Sequence, residues 1–428
     1  MEVINLPKHA AKIFGIFFAT FSMCVAFSSP AFAAGVAQIG STTYSTITEA
    51  ISAAGTDETT ITILANTTES IIIPVGANIT LDLNGKEIVN SSATSHTIEN
   101  RGTLILKSSV PGGVVDNEND NVAALFNEVG GIVTINGDLA ISKTKDDGTE
   151  ANSWYNIVNR STMTINDGVI VHNPGSQTST LTNGFLNVAT YFPDVPPVHL
   201  TINGGTFSGG KNTIKNDSGG VLVINGGTFT NANNPTLLNW NIATINGGTF
   251  NSPKPIIVGK YERTGANVPT VPTEQGILNI SGGDFTGTTI IAQSPSGSNV
   301  KTSEITVSGG TFNGNLPDLT PATVTASGGE FRDPLPDTVI IPADKKVTVS
   351  GGYFIIGDIV TPPSNNPPAT TIPVPNTSTV KAPDTGLDID TGSYVVATFG
   401  LVATVSAAVF AIIKLIKRRA KESEYFIW

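Results

Sequence analysis

Seven stretches of this chain share one pattern: apolar, any residue, apolar, Asn or Ser, Gly, Gly, any residue, Phe. They are LTINGGTF (200–207), LVINGGTF (222–229), ATINGGTF (243–250), LNISGGDF (278–285), ITVSGGTF (305–312), VTASGGEF (324–331) and VTVSGGYF (347–354). The second Gly recurs at spacings of 19 to 35 residues, and degenerate copies lie at 81–86, 133–138 and 163–168. A repeat of this length is one supersecondary unit that cannot bury its apolar face alone. Alternating apolar residues such as Leu222 and Ile224 make a short strand with one buried face. Asn-Gly-Gly then breaks the strand, because Gly and Asn accept the positive φ of a tight corner. An outward residue and an inward Phe open the next strand. Stacked at the ~4.8 Å strand spacing, such units share a continuous core. A propeller is excluded, since its blades need about 40 residues and four strands.

Composition agrees with a solenoid. Charged residues make up 13% and the chain holds 44 Gly. Gly disfavours helix by roughly 1 kcal/mol relative to Ala. The hydrophobic fraction of 39% is enough to fill a core. The net charge of -11 excludes a broadly basic nucleic-acid binder.

Short strands, three to a coil, describe an all-β, single-stranded right-handed parallel β-helix over 59–360. The pattern resembles the pectin-lyase-like β-helix family across about 44–354. That resemblance is specific for fold and unspecific for function. It implies stacked Asn side chains in a hydrogen-bonded ladder along a corner, with Asn100, Asn127, Asn159, Asn187, Asn216 and Asn239 as its rungs. Residues 34–58 read as an N-terminal helical cap. Ile47, Ala50, Ile51 and Ala54 share one helical face, which Gly55 ends. Such a helix would close the open end of a solenoid. Strands at 60–64 and 70–73 are expected to begin the first coil.

Both termini read as address labels. Lys8 and Lys12 precede or open an uncharged stretch at 13–27, and Ala31-Phe32-Ala33 offers small residues to a signal peptidase. Residues 1–33 are therefore expected to be a secretory signal peptide. Cys24, the one cysteine, lies within it, so the mature chain needs no thiol chemistry. Residues 394–413 are uncharged and long enough for a transmembrane helix. Lys414, Lys417, Arg418, Arg419 and Lys421 mark 414–428 as a basic cytoplasmic tail and place the body outside.

A linker at 361–385, with seven Pro, should be extended chain. It ends in Ala382-Pro383-Asp384-Thr385-Gly386, followed by a polar spacer at 386–393. Motif, apolar helix and basic tail resemble the sorting signal of sortase-anchored surface proteins, typically Leu-Pro-x-Thr-Gly. Ala382 departs from that motif. The resemblance implies a sortase-like transpeptidase that cuts between Thr385 and Gly386 and joins the chain to the cell wall. The alternative is a single-pass membrane protein with a cytoplasmic C-terminus.

Chemistry-bearing motifs are sparse. Three His follow the leader: His96, His172 and His199. No metalloprotease, phosphate-loop or nucleophile-elbow motif is present. Polysaccharide lyases of the resembled fold use clustered Asp for calcium, and its glycosidases use close carboxylates. Here the turn-proximal acids Asp138, Asp167, Asp284 and Glu330 come one per coil. Asp116, Glu118 and Asp120 alternate with Asn and offer oxygen ligands for Ca²⁺, or form a plain hydrophilic loop. Trp154, Tyr155, Tyr191, Trp240 and Tyr261 lie off the Phe row, several of them in long inserts. They are candidates for stacking on a glycan or, alternatively, for packing over the coil sides. The expected function is non-catalytic: a cell-surface-anchored β-helix that acts in adhesion or binds a glycan or host-surface ligand. A surface-anchored polysaccharide lyase or glycosidase, and a passive spacer or coat component, are the alternatives.

Overall fold

A computed structural model describes residues 35–119, 122–144, 155–175, 177–184, 197–217, 219–261, 276–294, 300–301 and 303–359. These residues belong to one compact unit. The predicted signal peptide, linker, sorting motif, transmembrane segment and tail lie outside the described residues. Among the described residues no helix is long and apolar enough to cross a membrane.

The chain winds through three largely parallel sheets, here A, B and C, in a fixed order. Val198–Ile202 lies in sheet A, Thr206–Gly209 in B and Ile214–Asn216 in C, and Gly220–Ile224 then re-enters A. Each strand pairs in parallel with its counterpart one coil on: Leu200 with Leu222, Phe207 with Phe229, Asn216 with Asn239. The result is a parallel-strand solenoid with a β-helix arrangement.

The repeat maps directly onto this path. Leu200 and Ile202 face the core from sheet A, and Phe207 faces it from sheet B. Phe207, Phe229, Phe250, Phe285, Phe312 and Phe331 form one buried stack, with neighbouring centroids 4.6 to 5.1 Å apart and planes within 13°. Earlier coils fill the same column with Ile88, Val115, Ile141 and Val171.

The Gly pair at each A-to-B corner serves two purposes. The second Gly carries the positive φ, as in Gly227 at 106° and Gly248 at 104°. The first sits against the coil below: a Cβ at Gly247 would lie 2.6 Å from the Asn225 carbonyl oxygen. The preceding Asn does not take the positive φ that the sequence reading assigns to it. Asn84 is the one described non-Gly residue with positive φ. Instead these Asn make an outer ladder: Asn246 donates to Asn225 at 2.9 Å, Asn225 to Asn203 at 2.8 Å, and Asn203 to Asn166 at 2.7 Å.

An inner ladder runs along the C-to-A corner. Asn100, Asn127, Asn159, Asn183, Asn216 and Asn239 are buried, and each Nδ2 donates to the next Oδ1 at 2.8 to 2.9 Å. Asn183 fills the rung expected at Asn187, which lies outside the described residues.

Each end is closed by a different device. At the N-terminus the helix Ile47–Ala54 buries Ile47, Ala50 and Ile51. Thr46 caps it, and the Glu69 carboxylate of the first coil accepts from the Ile47 and Thr48 amides at 2.9 Å each. At the C-terminus the seventh copy of the repeat does not build a coil. Lys345–Ser350 and Tyr353–Asp358 form an antiparallel hairpin, with Gly351 at φ 60° and Gly352 at φ 82° as its two-residue turn. Phe354 pairs antiparallel with Phe331 rather than extending the stack. The stretch between Phe331 and Lys345, with Pro334, Pro336 and Pro342, makes one isolated parallel bridge to sheet A, Ile340 with Thr325, and no further sheet A strand. The chain therefore folds back on itself instead of completing a turn.

Phe229→Ala should lower stability by ~3–5 kcal/mol, the range for truncating a core aromatic. Chemical denaturation measures it; a loss under ~1 kcal/mol would mean that the stack is not a structural spine.

Candidate functional site

Sheet B presents its outward residues in columns, one residue per coil. His172, Ser208, Thr230, Asn251 and Thr286 are successive cross-strand partners. Below them, where the chain leaves sheet B for sheet C, Gly209, Asn231, Ser252 and Gly287 form a recessed row. Together with Ala232, Pro253 and Thr288 they enclose a cleft of about 710 Å³. Its lining mixes hydroxyl and amide groups with the apolar surfaces of Ala232 and Pro253, and His172 is its one ionisable side chain.

The Nδ1 of His172 shares a hydrogen bond of 2.8 Å with Ser208 Oγ. Asn231 is committed to the fold, donating to the Gly209 and Gly210 carbonyls at 2.9 and 3.0 Å. Ser252 is different. It is 4% exposed, and its Oγ has no hydrogen-bond partner. A buried hydroxyl without a partner costs about 1–3 kcal/mol, and this one is closed to solvent, so it belongs to the interior of the corner and not to the cleft surface.

A second groove of about 990 Å³ follows the A-to-B corner. The glycine pairs line it along the corner. Thr206, Thr228, Thr249, Asp284, Thr311 and Glu330 form its wall in one column, and Asp167 lies at one end. Asp284 and Glu330, read from sequence as isolated acids, thus share a column with Thr311 between them.

The predicted aromatic residues lie elsewhere. Trp154 and Tyr191 fall outside the described residues. Tyr261 is described only in its backbone, as part of Lys260–Tyr261 paired antiparallel with Val300–Lys301. Tyr155 and Trp240 meet the outer face of sheet C. There Phe126, Val158, Thr182 and Lys215 point away from the core and are nevertheless buried. Tyr155 packs on Ala123, Phe126 and Val158. Burial, helped by the negative charge of Asp217, pushes its hydroxyl up to about 12. Lys215 lies 4.5 Å from the Trp240 ring centroid and pairs with Asp217 at 2.9 Å. Both described aromatics are therefore engaged in packing.

The proposed Ca²⁺ ligands are not brought together by the described residues. Asp116 is buried, and its two oxygens accept from the Thr144 amide at 3.1 Å and hydroxyl at 2.5 Å. Glu118 is exposed, and Asp120 lies outside the described residues. Among the described residues no three His, Cys, Asp or Glu side chains gather as a metal site.

The cleft residues carry a signal that sequence reasoning passed over. The residue after each inward Phe is Ser208, Thr230, Asn251, Thr286 or Asn313 in the first five copies, always small and polar. Comparison with protein-family models, with curated proteins and with solved structures finds no match to this chain.

His96 supplies a pH dependence. Its ring stacks on Phe126 at 4.3 Å, and its Nδ1 accepts from the Ala123 amide at 2.8 Å, which requires the neutral form. Burial, opposed in part by Glu99 and aided by Arg160, lowers its pKa from 6.5 to about 4. The neutral ring is favoured in the folded state, so this contribution is complete above pH 6.5 and is lost as pH falls toward 4. The slope in that window is at most about 1.4 kcal/mol per pH unit. Denaturation of the wild type and His96→Gln at several pH values should show their stability gap narrowing below pH 6.5. A gap independent of pH would refute the assignment.

Proposed function

We propose that this protein is a non-catalytic, right-handed parallel β-helix displayed on the cell surface, and that it binds a neutral glycan along sheet B. The right-handed sense is the one that twisted parallel strands favour in their crossovers. The observation that carries the binding reading is the neutral cleft beside one outward column of hydroxyls and amides, Ser208, Thr230, Asn251 and Thr286. Hydroxyl and amide groups repeated at ~4.8 Å suit a polymer that offers hydroxyls at intervals, and the lack of fixed charge suits an uncharged one.

The test uses cells displaying the full chain and an array of neutral oligosaccharides. Ala232→Trp fills the cleft from an exposed position and should weaken binding at least ~10-fold. Thr230→Ala removes one outward hydroxyl of the cleft and should weaken it about 2- to 10-fold. An array without hits, or binding indifferent to Ala232→Trp, would sink the reading.

A second reading, a glycosidase, is favoured by Asp284 and Glu330. Two coil steps separate them by ~9.6 Å, near the upper end of the ~6.5–9.5 Å found in inverting enzymes. It requires release of reducing ends that Asp284→Asn abolishes while binding persists.

For attachment, we propose leader removal after Ala33 and sortase-like cleavage between Thr385 and Gly386. A Pro-rich segment, an apolar span and a basic tail in that order support it. Mass spectrometry of wall material should find chains ending at Thr385, and Thr385→Ala should shift the protein to the membrane fraction. Recovery of 414–428 on surface-exposed protein would favour the single-pass anchor.

A further inference from the structure

Sheet A turns an unusually uncharged face outward. Ten parallel strands, from Asn78–Asp82 to Thr323–Ala326, keep continuous register. The two central outward columns are Thr, Val, Ile and Asn, with Glu304 their one carboxylate and His199 their one His. Thr164, Thr201, Val223 and Thr244 are consecutive in one column, and Ile132 in the other is 47% exposed. The other faces differ. Sheet C carries Glu99, Arg160, Lys215 and Asp217 on or beside its outer face, and sheet B carries Asp284 and Glu330.

We propose that the outer face of sheet A is a self-association surface, on which a second copy of this chain packs sheet against sheet. The size fits. Ten strands at ~4.8 Å, each about 15 Å long, give on the order of 700 Å² per copy, close to the ~800 Å² per partner of a stable interface. The electrostatics select the face. Two copies of a chain with net charge -11 repel each other, and contact is cheapest where carboxylates are fewest. The shape selects the partner. Aligned sheets pack face to face at ~10 Å, and a regular array of Thr and β-branched apolar side chains is complementary to itself about a two-fold axis. Thr hydroxyls that meet across the interface can donate to and accept from one another, so burying them need not strand polar groups. This inference does not rest on glycan binding, because the cleft belongs to a different sheet.

The experiment measures the mass of the full chain in mild detergent by light scattering at micromolar concentration. A dimer is expected. Thr201→Lys with Thr244→Lys sets like charges against each other across the face and should weaken association at least ~10-fold. Ala93→Lys with Ser95→Lys adds the same charge on an exposed loop away from the face and should leave the dimer intact. Thermal melting checks that both variants fold. A monomeric wild type, a dimer that survives the sheet A lysines, or a dimer lost equally in the loop variant would each overturn the proposal.

Discussion

Everything in this solenoid depends on keeping successive coils in one register, and the inner Asn ladder is the interaction least tolerant of a slip. Its six amides are buried, and each Nδ2 donates to the Oδ1 of the next. Many also donate to main-chain carbonyls at the corner, as Asn216 does to Ile242 at 2.9 Å. A coil displaced by one residue would carry an amide out of line and leave its neighbours unsatisfied in a dry interior, where an unmade hydrogen bond costs far more than a made one contributes. Apolar stacking alone does not discriminate so sharply. Phe, Val and Ile share one column of sheet B, and a core of hydrophobes of similar size tolerates rearrangement.

Register fixes the corners in turn. Once coils are locked at strand spacing, the A-to-B turn has room for no Cβ at its first Gly and demands positive φ at its second. The same sequence elements behave differently when register is absent. Val-Ser-Gly-Gly-Tyr-Phe at 349–354 has no further coil to join, and there both glycines take positive φ in a hairpin. Local sequence is compatible with either turn, and the neighbouring strand decides.

This explains which parts of the fold were legible. The Phe row, the strand–corner–strand order and the capping helix at 47–54 follow from local periodicity and turn chemistry. Asn183 did not. Leu181-Thr182-Asn183 and Phe185-Leu186-Asn187 both place Asn two residues after an apolar residue, and the long connection to Val198 gives no distance by which to choose. The fate of the seventh copy depended on a sheet A strand reduced to the single bridge of Ile340 with Thr325, an absence that a motif search does not register. The site was harder still. Exposed aromatics are the usual sign of a sugar-binding surface, yet Tyr155 and Trp240 are held by Phe126 and Lys215. The cleft is instead made of small polar residues that repeat with the coil and look like ordinary solvated strand positions.

A solenoid differs from a closed globule in how it divides labour among its surfaces. Inward positions and corners are constrained at every coil, whereas each outward column is a separate sequence with its own composition. On sheet C those columns carry ion pairs and aromatics buried against the body. On sheet B they carry hydroxyls, amides and, farther along, two carboxylates. On sheet A they are nearly uncharged. Because the corners keep the sheets apart, a change in one outward column alters neither the core nor the other faces. The binding proposed for sheet B and the association proposed for sheet A could therefore vary independently on one scaffold, and a residue's column says more about its role than its position within the repeat.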